Sequence, residues 1–408
     1  MLFRKDIHGT ELSILGFGCM RFPHTLGRID IKKSKDLVAE AIAHNINYFD
    51  TAWLYPGNEE ALGAVLADLG KRNDVYIATK MPSMVCKKRG DLDVYFNQSL
   101  NRLKTTYIDY YLMHNLPDFA LWEHMKNLGV VEWIARKKEE GVIKQIGFSF
   151  HGNRDDFIRI LNDYPWEFCQ IQYNYSDENF QAGKTGLLAA AAKGIPVIIM
   201  EPLLGGKLAR DLPKPVMDLF NADISSLPQT AHRSPEARLS PAARGLLWLW
   251  NQREVTVVLS GMNVLSQLTE NLAAAEQGTA GCIPDGTLYE KARDEFKKTY
   301  KIQCTGCNYC QPCPKGINIP GCFSAYNTSY AIDFITGLKH YVMSTGAHSP
   351  TPHIASLCIK CGKCESHCPQ HLPIRSELEN VIRRLEPFYF KLIMLIIRIF
   401  WQKKPRKD

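Results

Sequence analysis

Short, nearly continuous apolar runs recur along the first two thirds of the chain. They are LGFGCM from Leu15, NYFDTA from Asn47, VYIATK from Val75, IDYYLMH from Ile108, IKQIGFSF from Ile143, CQIQYN from Cys169, PVIIMEPL from Pro196 and VTVVLSG from Val255. Between them apolar and polar residues alternate with helical spacing, as in Lys33–His44, Asn58–Leu69, Asp91–Lys104 and Leu121–Glu140. Strands that alternate with helices imply a parallel sheet. Parallel strands are covered on both faces and so read as unbroken apolar runs. Eight such runs predict a closed (β/α)₈ barrel, an α/β fold. The alternative is an open doubly wound sheet. Against it, no G-x-G-x-x-G follows the first run.

The rhythm breaks at Leu204–Ser240, rich in Pro, Ala, Gly and Ser. After a seventh strand this stretch is expected to be a loop on the C-terminal face of the barrel, either a lid or a tolerated surface insertion. Near Cys282–Thr287 the barrel pattern ends. The expected organisation is a barrel over 1–281, a small mainly helical domain over 282–386, and an apolar–basic tail over 387–408. A length of 408 residues suits a barrel plus a smaller module.

Net charge is +7, but Lys391, Arg398, Lys403, Lys404, Arg406 and Lys407 stand in the tail against Asp408 alone. The body is near neutral, so no nucleic-acid partner is expected. The N-terminal residues have no continuous apolar core of a signal peptide, and no run of about 20 apolar residues occurs. A reducing cytoplasmic setting is expected. The tail, PFYFKLIMLIIRIFWQKKPRKD, presents a wide apolar face with Lys391 and Arg398 seven apart on one side. It suits peripheral contact with an anionic membrane or docking onto protein.

Polar residues at strand C-termini are where a barrel builds its chemistry. Asp50 ends the second run, with Tyr55 five residues on; Lys80 ends the third and His114 the fourth. Each alone could be a cap, a surface aromatic, a solvated charge or a satisfied polar residue. Together they can reduce a carbonyl. Hydride arriving at carbon leaves charge on oxygen, which needs a proton. A tyrosine can give it, with an ammonium favouring the phenolate, a carboxylate holding the ammonium, and a histidine orienting the oxygen.

FDTAWLY, IATK and YLMH resemble the three segments that carry the Asp, Tyr, Lys and His tetrad of the aldo-keto reductases. The resemblance spans roughly residues 1–278. It implies Tyr55 as general acid, Lys80 and Asp50 as its tuners, His114 as the carbonyl-orienting group, and NADPH or NADH as cofactor for a small-molecule carbonyl substrate. By the same likeness, Ser149 and Gln170 hold the nicotinamide carboxamide. EPLLGG, with Glu201, Pro202, Leu203 and Gly205, wraps the pyrophosphate, and Glu270 and Asn271 face the adenine. Four positions depart from the family pattern. Met200 stands where many members stack an aromatic on the nicotinamide, and Phe150 where they carry Asn. Gly261 and Gln267 stand where NADPH-specific members place Lys and Arg, so little preference for NADPH is expected.

Eight of the 13 cysteines fall in two groups. One is Cys304-x2-Cys307-x2-Cys310-x2-Cys313-Pro and the other Cys358-x2-Cys361-x2-Cys364-x3-Cys368-Pro. The second fits the bacterial [4Fe–4S] run, and the first is one residue short in its last gap. In that pattern the fourth cysteine serves the other cluster. One cluster then takes Cys304, Cys307, Cys310 and Cys368, and the other Cys358, Cys361, Cys364 and Cys313. The alternatives are zinc or buried packing thiols. Cys19, Cys86, Cys169, Cys282 and Cys322 are expected to be structural. The arrangement is similar to aldo-keto reductases with a C-terminal ferredoxin-type domain.

Nicotinamide moves two electrons and a cluster one, and no flavin signature is present. The clusters therefore exchange electrons with a redox partner protein, sense oxidation or hold the domain folded. Three functions follow: a carbonyl reductase, a one-electron carrier that uses the barrel as scaffold, or a redox sensor with a vestigial site. The complete tetrad favours the first.

Overall fold

The computed structural model describes residues 1–210, 212–225, 239–279, 281, 283, 286–347, 352–390 and 394. β1 (Phe3–Lys5) and β2 (Glu11–Ser13) form an antiparallel hairpin, and β3 (Leu15–Gly18) follows. A second small hairpin, β4 (His24–Thr25) with β5 (Arg28–Ile29), precedes α1 (Ile31–Ala43). The chain then alternates: β6 (Tyr48–Asp50), α2 (Asn58–Leu69), β7 (Tyr76–Met81), α3 (Gly90–Leu103), β8 (Ile108–Leu116), α4 (Phe119–Asn127), α5 (Val130–Glu139), β9 (Ile143–Phe150), α6 (Arg154–Asp163), β10 (Phe168–Gln172), α7 (Gly183–Ala192) and β11 (Val197–Met200). After α8 (Lys214–Ser225) and α9 (Pro241–Trp250) come β12 (Val255–Ser260) and α10 (Leu265–Ala275). Strands β3 and β6–β12 close into a parallel barrel, with Val258, Leu259 and Ser260 of β12 pairing back onto Leu15, Gly16 and Phe17. The barrel expected from the eight apolar runs is the fold.

Those runs are apolar throughout because each strand meets two cores. Tyr48, Tyr110, Leu112, Phe168, Ile198 and Val257 fill the barrel interior, with Tyr110 edge-on to Tyr48 and Phe168 at 5.1 and 5.2 Å. Side chains on the other faces, such as Phe49, Ile77, Tyr111, Phe148 and Val258, pack outward against the helices. At the N-terminal end of the barrel, Asp6 in the β1–β2 turn accepts hydrogen bonds from Tyr110 Oη (2.6 Å) and from Gln145 Nε2. These bonds tie the hairpin turn to the barrel interior at that end. The opposite end carries Asp50, Lys80, Ser149 and Gln170.

The expected helix at Leu121–Glu140 is two helices. Gly129 takes a left-handed φ of 79° between α4 and α5, a conformation that glycine adopts without steric cost.

The remaining elements are α11 (Thr287–Thr299), α12 (Ile319–Ala331), α13 (Phe334–Thr345), α14 (Lys363–Ser366) and α15 (Ile374–Leu385). They have a core of their own that includes Ile319, Phe323, Tyr341, Leu378 and Val381, and six of the paired-motif cysteines pack against it. Asn327 pins the chain ahead of the first cysteine group, accepting from the Lys301 and Ile302 amides (both 3.0 Å) and donating to the Ile302 carbonyl (2.7 Å). By contacts the chain forms two units. One is Met1–Leu203 with Ala237–Gly286, and the other Leu204–Glu236 with Thr287–Asp408. The stretch read as a loop from Leu204 thus contains α8, whose Val216 and Phe220 lie one turn apart and buried, and it groups with the second unit instead of the barrel. Its Pro-, Ala- and Ser-rich part, 226–238, lies outside the described residues, as does Cys282. Among the described residues, no helix is long and apolar enough to cross a membrane. Phe390 and Met394, at the start of the tail, are buried in the second core; the rest of the tail beyond 390 lies outside the described residues.

Candidate functional site

Four side chains converge at the C-terminal ends of adjacent strands. Asp50 closes β6 and Lys80 sits next to the end of β7, the strand beside it. Lys80 Nζ donates to Asp50 Oδ1, Asp50 Oδ2 and the Thr51 carbonyl, each at 2.7 Å. Both side chains are buried. Burial pushes the Asp50 carboxyl up, and the Lys80 ammonium opposes it. Tyr55 stands on the turn between β6 and α2, its amide bonded to the Ala52 carbonyl and its carbonyl to the Asn58 amide. Its ring centre lies 5.3 Å from Lys80 Nζ and 5.8 Å from the His114 ring, at 85° to it. Burial holds His114 well below its usual pKa and the Lys80 charge adds to this, so the imidazole is neutral. A neutral imidazole can donate one N–H to an oxygen placed beside it.

Ser149 and Gln170 are register partners on β9 and β10. Ser149 Oγ accepts the Asn115 amide (2.8 Å) and keeps its own proton to donate. Gln170 Oε1 and Asn115 Oδ1 are buried acceptors with no partner among the described residues. Two orphaned acceptors beside a hydroxyl donor fit a primary carboxamide. Glu201, Pro202 and Leu203 follow β11, and Gly205 comes next within the segment that groups with the second unit. Glu201, Leu204, Gly205 and Gly206 all take positive φ, so the backbone here coils tightly, as an anion-binding loop of amides requires. Gln267 Oε1 caps its own loop by accepting the Asn263 amide (2.9 Å). Gly261 carries the aliphatic stem of Arg21 against its Cα. Glu270 accepts from Ser240 Oγ, and Asn271 donates to Ser260 Oγ (3.0 Å), so both tie α10 to neighbouring elements.

The cysteines gather in the two crossed sets. One cavity is lined by Cys304, Cys307, Cys310 and Cys368, and another by Cys313, Cys358, Cys361 and Cys364. Each motif supplies three cysteines to one cavity and its fourth to the other. The backbones repeat as well. Gly306 and Asn308 in the first motif, and Lys360 and Gly362 in the second, take left-handed φ at matching positions. The Gly306 and Lys360 amides both donate to the first cysteine sulfur of their motif at 3.4 Å. Among the described residues no three His, Cys, Asp or Glu side chains close on a point that would hold one metal ion. Four thiols around a cavity suit a multi-iron cage better than a single zinc.

Residues 14–279 match the description Aldo/keto reductase family. The chain belongs to the aldo/keto reductase family. Residues 303–372 match the description 4Fe-4S dicluster domain. The chain is 27% identical over 296 residues to aldo-keto reductase str7 of Strobilurus tenacellus, covering 66% of this chain and 86% of that one. It is 32% identical over 305 residues to the uncharacterized oxidoreductase YqkF of Bacillus subtilis, covering 67% and 91%. In structure it resembles aldo-keto reductase AKR11C1 from Bacillus halodurans in its holo form, with a TM-score of 0.57 at 23% identity, covering 73% of this chain and 97% of that one; this likeness is one of fold. This aldo/keto reductase is thus an oxidoreductase barrel joined to an iron–sulfur domain.

The structure accounts for one departure from the family pattern. Phe150 turns outward and packs edge-on to Phe157 of α6 at 5.2 Å, as part of the core. Met200 ends β11 half-buried. Sequence reasoning missed a chain of buried polar residues in the same unit of this aldo/keto reductase. His151 Nδ1 meets Gln181 Oε1 (3.2 Å), Gln181 Nε2 donates to Gln172 Oε1 (3.3 Å), and Gln172 Nε2 donates to Asp177 Oδ2 (3.0 Å). His151 is close enough for its charge to bear on His114. Only Gln172 lay within a quoted strand motif.

Proposed function

We propose that the barrel catalyses NAD(P)H-dependent reduction of a small-molecule carbonyl, with Tyr55 as the proton donor. The observation that carries this reading is the buried Lys80–Asp50 pair set beside the Tyr55 ring and next to His114. A reduced nicotinamide, when bound, supplies hydride. Ser149, Gln170 and Asn115 would hold its carboxamide, the Glu201–Gly206 backbone its pyrophosphate, and Glu270 and Asn271 its adenine end. Neutral His114 donates an N–H to the substrate carbonyl oxygen and fixes its direction. As charge grows on that oxygen, Tyr55 passes its phenolic proton to it. The Lys80 ammonium stabilises the phenolate left behind, and Asp50 with the Thr51 carbonyl fixes that ammonium in place. The two four-cysteine cavities would each hold a [4Fe–4S] cluster that exchanges single electrons with a partner protein.

Tyr55→Phe tests the barrel reading. It should lower carbonyl reduction by about 10²–10⁴-fold. Reduced-nicotinamide binding, followed by quenching of protein fluorescence, should stay near that of the parent chain. Turnover close to the parent's would remove Tyr55 from this role.

A further inference from the structure

The two cysteine cavities share a backbone design but differ in their surroundings. The side chains that join Cys304, Cys307, Cys310 and Cys368 in the first cavity are uncharged, among them Thr305, Asn308, Phe323 and Gln370. Lys315 and Arg375 line the second. Lys360 and Lys363 flank Cys361 in sequence and are exposed. Two carboxylates face this rim: Glu365 pairs with Arg375 at 2.7 Å and Glu379 with Lys360 at 2.6 Å. Four cations against two carboxylates leave a surplus of two positive charges. Lys315 and Lys363 have no ion-pair partner among the described residues. Cys361 is the one exposed cysteine of the eight, and Ile359, which lines the same cavity, is 58% exposed.

A redox centre that trades electrons with another protein must come near the surface, and such encounters are small and brief. Cationic side chains around an exposed ligand raise the encounter rate with an acidic partner. An apolar residue at the centre gives the partner something to bury. We propose that this rim is the docking surface for an acidic one-electron carrier protein. The electron enters or leaves through the cluster held by Cys313, Cys358, Cys361 and Cys364, and the uncharged cavity serves as the inner station. In each transfer a reduced carrier loses one electron and one cluster gains it; no bond is made or broken. The proposal rests on both cavities holding iron–sulfur clusters.

The full chain, purified without oxygen, should first be assayed for iron and acid-labile sulfide. It should then be mixed in a stopped-flow cell with a reduced, acidic plant-type [2Fe–2S] ferredoxin while cluster bleaching is followed. Electron transfer should slow as salt is added. Lys315→Glu with Lys363→Glu should slow it by about tenfold or more at low ionic strength. Lys339→Glu on α13 should change it little, and photoreduction through a small deazaflavin should proceed alike in every variant. Transfer that ignores both salt and the double charge reversal, or that falls equally in the Lys339 variant, would overturn the docking surface. A chain without iron would overturn the cluster reading beneath it, and the metal assay tells these two failures apart.

Discussion

Lys80 directs its donors at Asp50 and Thr51, not at the tyrosine it serves, so its effect on Tyr55 is that of a nearby charge. That makes a separable prediction. Lys80→Met leaves the Asp50 carboxylate buried and unpaired, which costs on the order of 3–5 kcal/mol. Adding Asp50→Asn removes that stranded charge and should recover much of the stability, while reduction stays lost in both. Urea unfolding of the two variants, with turnover measured beside it, checks the claim; equal stability losses would show that the pair is not what Lys80→Met disrupts. The pair was legible in the sequence because a charge at the end of an apolar run is conspicuous. The chain from His151 through Gln181 and Gln172 to Asp177 was not. Its members follow no periodicity, and only folding brings them into line. The Asn115 acceptor was hidden for a similar reason, since its left-handed backbone, not its place in the run, sets where its side chain goes.

At the scale of elements, the eight strands were readable because burial on both faces leaves little room for polar residues away from the strand ends. The helices were less so. Leu121–Glu140 is one apolar pattern on paper, yet Gly129 divides it, and α8 was masked by its Pro- and Ser-rich neighbours. The crossed cysteine sets were expected from the likeness to the bacterial two-cluster pattern, but the repeated turn that makes the crossing possible was not. Each motif reverses twice within five residues through left-handed positions, and each places glycine at only one of its two. At Gly362, with φ of 77°, an added Cβ would meet nothing closer than Arg375 Cζ at 3.8 Å. Gly362→Ala therefore tests backbone conformation without a clash. It should cost about 1–2 kcal/mol of second-unit stability, the penalty for a non-glycine residue held left-handed. Asn308→Gly, at the matching position of the first motif, should cost much less. Thermal midpoints with iron retention distinguish the two; equal losses would mean that the side chains, and not the turn, matter.

The whole molecule is two units on one chain, and each answers to a different source of stability. The barrel unit is built on a large apolar core. The second core is small, and residues from the start of the tail complete it: Phe390 stacks obliquely on Tyr341 at 5.9 Å. Tyr341 Oη in turn donates to Glu386 Oε1 and accepts the Ala355 amide at 2.8 Å, and Glu386 Oε1 also accepts the Ser356 amide at 3.0 Å. The part of the tail seen here thus docks on protein. Phe390→Ala should destabilise the second unit by about 3–5 kcal/mol, the usual cost of emptying a buried phenylalanine site. Denaturant unfolding followed by the cluster's visible absorption would measure it, and an unchanged midpoint would show that Phe390 is not held in the core.

The same partition predicts what happens when iron is removed. Six cysteines pack against the second core, and the segments that carry them, Cys304–Cys313 and Cys358–Cys368, are turns with little regular structure beyond the single turn of α14. Close cysteine spacing and left-handed turns do not hold such loops together by themselves; bonds to a metal cage do, and that binding energy is then folding energy. Oxidative loss of the clusters should therefore unfold the second unit, seen as lost helical circular dichroism and raised protease sensitivity within residues 287–390. The barrel has its own closed sheet and needs no ligand to close it. It should keep binding reduced nicotinamide with little change in affinity after the iron is gone. If the iron-free chain keeps its full helical signal, the clusters are passengers on a self-sufficient fold. If nicotinamide binding is lost together with the helical signal, the barrel site depends on the second unit, whose segment from Leu204 includes Gly205 and Gly206 of the proposed pyrophosphate loop.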